Sequence, residues 1–336
     1  MMGGMGTGTR SARSTVGDPD ASSDPGVSSA PDSQVPQDAA AGPGPVEAGP
    51  VAQLRDWLGG QVFQRVAGPE GAGRRERIFA APGERWFTEG RPIRLVHADA
   101  AMFVGGLRAL LLQSLHPLAI AGVTQHSDFR NDPWGRLART SFFLAATTFG
   151  PADEAERAVA RVRAVHRRVR GVAADGRPYS ASDPHLMRWV HVAEVDSFLA
   201  AYQRYGTSPL DPEQQDGYVA DTAVVAERLG IDDPPRTTAE LAVALHDYRP
   251  ELAGTPEARS AARYLLLRAP LPLAARVPYS ALASAAVGLM PMWTRWPLRL
   301  PYLPAAEATV GRLAGQTIVT TIRWATRPPA TTAADS

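Results

Sequence analysis

DEAERAVARVRAVHRRVR, residues 153–170, carries the alternation that decides how the chain is read. Ala155, Ala158, Val159, Val162, Val165, His166 and Val169 recur at i, i+3, i+4, i+7 and draw one apolar stripe. Arg157, Arg161, Arg163, Arg167, Arg168 and Arg170 take the remaining positions. The spacing predicts a helix over Asp153–Arg170, with His166 inside its buried stripe. Two readings of that histidine follow. It is a core residue satisfied by a backbone carbonyl, or an imidazole presented to a metal or haem iron.

The same helical grammar runs outward in both directions. Toward the N-terminus, Asp132-Pro133 reads as an N-cap and first-turn proline, and Gly150 as the stop of that helix. Arg136, Arg139, Thr140, Phe143 and Thr147 share one side of it, a narrow polar strip that either lines a polar feature inside the fold or has Arg136 and Arg139 paired with carboxylates at the surface. Before it, ADAAMFVGGLRALLLQSLHP (98–117) is one strongly apolar helix with a single internal arginine, Arg108. Residues 51–68 form a short helical pattern broken at Gly59-Gly60, and 71–87 an arginine-rich loop. Toward the C-terminus, Asp183-Pro184, Asp211 with Gln214, Thr237 with Glu240, and Thr255-Pro256 each open a further helix. His191 lies beside the apolar stripe of the helix that Asp183 starts, with Glu194 three residues on. Residues 269–303 are apolar and punctuated by proline; a core layer or tunnel wall fits them better than a weak membrane-surface patch. A last helix is expected near 305–326. No sustained period-2 alternation and no hairpin dipeptide enters this reading. The expectation is all-α, a single multi-helix domain over 51–326 with a buried cofactor or ligand pocket, a disordered tail at 1–50 and a flexible end at 327–336.

Composition narrows the chemistry. Of 336 residues 44% are apolar, enough for a substantial core, and the net charge of +1 offers no field for nucleic acid. There is no cysteine, which removes disulfides, thiolate nucleophiles, iron–sulfur clusters and thiolate-ligated haem. A metal has to rely on the seven histidines and on carboxylates. His116, His126, His166 and His191 are the candidates for a bare metal ion, but no H-x-x-x-H pair supports one. The opening residues lack the apolar core of a secretory signal, and no run of ~18 apolar residues suggests a transmembrane helix. The cytoplasm is the expected compartment.

A series of short motifs resembles a known family. HP at 116–117, AGVTQHSDF at 121–129, DP at 132–133 and R-x-x-R-T at 136–140 come first. FG at 149–150, VHRRVRG at 165–171, YSASDP at 179–184 and WVH at 189–191 follow in order. Together they cover about a third of the chain and resemble the DUF2236 family, which contains the latex-clearing rubber oxygenases and the MpaB-like fungal oxygenase of mycophenolic acid biosynthesis. The resemblance implies an all-α fold binding haem b, with His166 matching the proximal iron ligand. Arg136, Arg139 and Thr140 match a polar motif on the distal side. The implied reaction is oxygenation or oxidative cleavage of an apolar, isoprenoid-type substrate with dioxygen. Two departures bear on it. Rubber-cleaving members carry a lysine where this chain has Arg139, and an arginine cannot lose its proton to ligate iron. They also carry an acidic residue ahead of that motif, whereas Pro117–Thr124 here has none and Asp128 is the nearest acid. The second departure, together with the missing export signal, argues against a polymer substrate outside the cell and for a small apolar one. The rival readings are a non-catalytic helical protein that binds haem or an apolar ligand, and a non-haem metalloprotein.

Overall fold

In the computed structural model, residues 50–127 and 129–327 are described. The expectations for the two tails therefore fall almost wholly outside the described residues, as does Asp128. The described chain is mostly helix, in agreement with the sequence. Local capping starts many of its elements. α1 (Pro50–Ala67), α2 (Gly71–Phe79), α3 (Pro92–Ala98), α4 (Met102–Gln113) and α5 (Pro117–His126) come first. Then α6 (Pro133–Phe149) begins where the Asp132 carboxylate accepts the Gly135 N–H. After α7 (Ala152–His166), α8 (Pro184–Tyr205) begins where Asp183 accepts the N–H groups of His185 and Leu186. α9 (Pro212–Leu229) opens on the Asp211–Gln214 capping box, and α10 (Thr238–Asp247) and α11 (Pro256–Leu267) on Thr237 and Thr255. α12 (Leu273–Gly288), α13 (Met292–Leu298), α14 (Pro304–Ala306) and α15 (Arg312–Thr326) complete the set.

The core is organised on an antiparallel pair, α4 against α8. A Cβ on Gly105 would stand 2.7 Å from the Phe198 ring, so glycine there lets the two backbones close up. At the other end Gln113 bonds to the Val190 carbonyl. On one flank α3, α9 and α10 bury Ile93, Val96, Tyr218, Val219 and Leu241 against Val192, Val195 and Phe198. On another, α12 and α15 bury Ala285, Ala286 and Val319 against Val104 and Leu107. No single helix among the described residues is long and apolar enough to cross a membrane.

The structure corrects several local expectations. The apolar helix from residue 98 is interrupted: α3 and α4 meet at 94°. Asp99 causes the break, since its carboxylate accepts the Ala101 N–H at 2.7 Å and is held by Arg323 and Thr207. Gly59-Gly60 does not break α1; a Cβ on Gly59 would press into the Ala325 carbonyl, so this glycine serves close packing of α15. The arginine-rich stretch from Gly71 is helical, with Ile78 buried against Ala146 and Ala158 and Arg74 paired to Glu70. Finally, α7 stops at His166, and the chain enters a short antiparallel hairpin, β1 (Arg170–Val172) with β2 (Pro178–Ser180). Its turn contains Asp175-Gly176, with Gly176 at φ +84°, a hairpin dipeptide that the reading of the sequence passed over.

Candidate functional site

α6 and α7 form an antiparallel helical hairpin joined by Gly150-Pro151. The Arg161 guanidinium stands 5.8 Å from the Phe142 ring centroid, and Ala146 packs with Ala158. Those two pairs fix the register. His166 and the Arg136–Thr140 turn both lie toward the open end of this hairpin. Among the described residues no hydrogen bond or charge interaction joins His166 to Arg136, Arg139 or Thr140; Arg136 contacts Ser127, and Arg139 contacts Asp132.

His166 is the last residue of α7 and is only half-buried. The first half of the predicted stripe is core (Ala155, Ala158 and Val159), but Val165 is 53% exposed. The second half therefore opens out of the core, and the expectation of a fully buried histidine is corrected. The backbone carbonyl required by the core-histidine reading is absent: Nδ1 is buried and has no hydrogen-bond partner among the described residues. Burial holds the His166 pKa below its ordinary value, which keeps the imidazole neutral and its lone pair available near pH 7. A neutral imidazole is the form that ligates iron, and since the protein encloses Nδ1, iron would meet the ring at Nε2. The second acceptor that usually orients a ligating imidazole is not supplied by the described residues.

Along α6 the polar strip is graded rather than uniformly buried. Thr147 is buried and donates to the Phe143 carbonyl at 2.9 Å. Arg136 is half-buried, and its Nη1 donates to Ser127 Oγ at 2.7 Å. Burial first, and then the neighbouring Arg139, lower its pKa from the ordinary arginine value. Arg139 and Thr140 are exposed; Arg139 reaches back to the cap residue Asp132 at 3.2 Å. The inward-facing reading is corrected at these two positions, and for Arg139 the alternative of a surface pair with a carboxylate holds, because none of the described elements covers that face of α6 although Ala138 in the same turn is buried.

Farther along, α6 meets a group of side chains the sequence did not assemble. His97 Nδ1 lies 2.8 Å from Thr148 Oγ1, and its Nε2 3.4 Å from the Tyr218 hydroxyl. Burial drives the His97 pKa down to about 3. On α8, burial takes His191 down to about 4, helped by Arg188, and pushes Glu194 up to about 7. The Glu194 charge is also felt at Tyr218. His97, His191 and Glu194 each keep some accessible surface although their charged forms are strongly disfavoured. Desolvation is the largest cause of all three shifts. The one advance signal was the i, i+3 spacing of His191 and Glu194 on a largely apolar helix.

These shifts set a pH dependence. A glutamate titrates near 4.5 without the fold and near 7 within it, so folding takes up a proton and stability falls as pH rises through that window. Glu194→Gln should therefore gain on the parent chain from about pH 5 to about pH 8, by as much as about 3 kcal/mol. His97 and His191 act oppositely, withdrawing stability as pH falls below 6.5. Urea unfolding followed by circular dichroism at several pH values checks this; parallel curves for the two proteins would contradict it.

The other histidines are tied up in structure. His116 caps α5, and its Nε2 lies 3.4 Å from Glu251, which His185 also contacts at 2.9 Å. His126 is exposed and sits edge-on to Tyr179. Among the described residues no three histidine or carboxylate side chains converge to hold a bare metal ion. A haem needs one protein nitrogen, and His166 offers it.

Comparison with known families gives one result. The family model described as "ER-bound oxygenase mpaB/B'/Rubber oxygenase, catalytic domain" matches residues 94–324, which include α4 to α13 and all four residues of the hairpin site. No curated protein and no solved structure matches the chain.

Proposed function

Since the chain belongs to the family of MpaB-type and rubber-oxygenase catalytic domains, a family of oxygenases, we propose that it is a haem b-dependent oxygenase acting with dioxygen on a small apolar, isoprenoid-type substrate. The observation that carries this reading is His166, a neutral, half-buried imidazole at the end of α7 with no hydrogen-bond partner for Nδ1 among the described residues. Haem, when bound, supplies the oxygen chemistry, and the protein supplies orientation, water exclusion and hydrogen bonds.

The residues divide that work. His166 would hold the iron. Arg136 is anchored by Ser127 and is partly shielded from water, so its remaining N–H groups would bind an anionic propionate or a polar oxygen. The Arg139 guanidinium acts as a donor, never as an iron ligand. Thr140 adds a hydroxyl one residue along. The apolar side chains of α6, Phe142, Phe143 and Leu144, are partly buried and offer surface to an apolar substrate.

A spectrum of the purified, haem-supplemented protein tests the proposal. A strong Soret band that shifts on dithionite reduction is expected, followed by oxygen uptake when small isoprenoids are added. A Soret band without uptake across such a panel would favour a haem carrier. No Soret band in a protein that is helical by circular dichroism would overturn the haem reading.

A further inference from the structure

The turn between α11 and α12 carries an exposed apolar cluster. Leu267, Leu273 and Val277 are 79%, 76% and 77% exposed. Leu273 and Val277 stand four residues apart and share one helix face, with Leu267 across the five-residue connection 268–272. This exposure is not fraying. The Tyr279 hydroxyl donates to the Leu265 carbonyl at 2.6 Å and pins the two helices together. The Arg268 N–H closes the end of α11 on Tyr264, and Pro270, Pro272 and Pro278 stiffen the tip. The expectation that 269–303 is core or tunnel wall holds for Ala283, Ala285, Ala286 and Val287, but not for this end.

Charge identifies what covers it. Arg268 and Arg276 flank the three aliphatic side chains and are exposed, and among the described residues no carboxylate pairs with either. The chain has no acidic residue between Glu257 and Glu307. A projecting tip of aliphatic side chains, ringed by arginine and free of acid, complements a surface that is apolar beneath and anionic above. We propose that the α11–α12 tip is a docking site for an anionic lipid surface, with Leu267, Leu273 and Val277 entering the acyl boundary and Arg268 and Arg276 meeting the headgroups. The inference does not depend on haem.

Co-sedimentation of the full chain with vesicles tests it. Vesicles of phosphatidylcholine with one part in about three of phosphatidylglycerol should retain the protein about tenfold better than phosphatidylcholine alone, and added salt should weaken that binding. The double variant Leu273→Asp, Val277→Asp should lose binding to both. Arg268→Gln with Arg276→Gln should lose the preference for anionic lipid. All four positions are exposed, so the variants keep the helical spectrum of the parent chain. Absence of binding by the parent chain, or undiminished binding by the variants, would overturn the proposal. So would a concentration-dependent dimer abolished by the Asp variants, which would give the tip to a second copy.

Discussion

His166→Ala is expected to abolish haem retention while leaving the fold almost untouched. The two halves of that expectation come from different observations. The imidazole has no hydrogen-bond partner among the described residues, and it stands at the last position of α7, where it keeps part of its surface accessible. Truncating such a side chain removes little packing and breaks no network, so the loss of stability should stay near about 1 kcal/mol. The same side chain is the only strong iron ligand the hairpin offers, so the Soret band should disappear and haem should pass to a scavenging apo-globin. A core histidine gives the opposite pattern: lower stability, with haem binding unaffected. Added imidazole sharpens the distinction, because a small free ligand should enter the vacated space and restore part of the spectrum. Full haem occupancy in the variant would remove His166 from the site.

Where the sequence was legible, the controlling physics is local. Asp132, Asp183, Asp211, Thr237 and Thr255 each cap a helix within three residues of themselves, and a capping hydroxyl or carboxylate can be read without knowing the rest of the fold. His166 was legible as the polar member of an apolar stripe. What was not legible depends on distant partners. Nothing near Asp99 in the chain announces that Arg323 will hold its carboxylate and help bend α3 away from α4. The Gly59 pair reads as a break until α15 is laid across it. The group around His97 needs Thr148, Tyr218 and Glu194 from three other helices, and only the His191–Glu194 spacing hinted at it. The hairpin after α7 was hidden differently: three-residue strands are too short to show alternation, and only its turn carried a signal. The exposure of Arg139 and Thr140 has the same origin, since periodicity locates a polar face but does not say whether any element covers it.

Arg108→Leu is expected to cause the largest loss of stability of any single change considered. Arg108 is 3% exposed in the middle of an apolar helix, and its guanidinium spends its donors on three acceptors in two other elements. Nε donates to the Leu289 carbonyl at the end of α12 at 3.0 Å, and Nη1 to Ser197 Oγ on α8 at 2.7 Å. Nη2 lies 2.6 Å from the Asp196 carboxylate, also on α8. Leucine fits the apolar surroundings but leaves a carboxylate without its counter-ion and a carbonyl without its donor. Breaking a buried pair from one side destabilises by about 3–5 kcal/mol, and Asp196, which is partly accessible, places this case near about 3. Lysine should recover little, because one ammonium cannot span three acceptors that diverge in direction. The double variant Arg108→Leu, Asp196→Asn should recover much of the loss, since removing both charges leaves no ion unpaired. Urea unfolding of the parent chain, Arg108→Leu, Asp196→Asn and the double variant measures the coupling directly, and additive single and double effects would show that the pair is not energetically joined. The consequence reaches Glu194. α8 carries His191 and Glu194, and its position against α4 is set by Arg108 on one side and by the Gly105–Phe198 contact on the other. Loosening the first should raise solvent access to Glu194 and bring its titration back toward the ordinary carboxylate range, a shift readable in the same pH-dependent unfolding series.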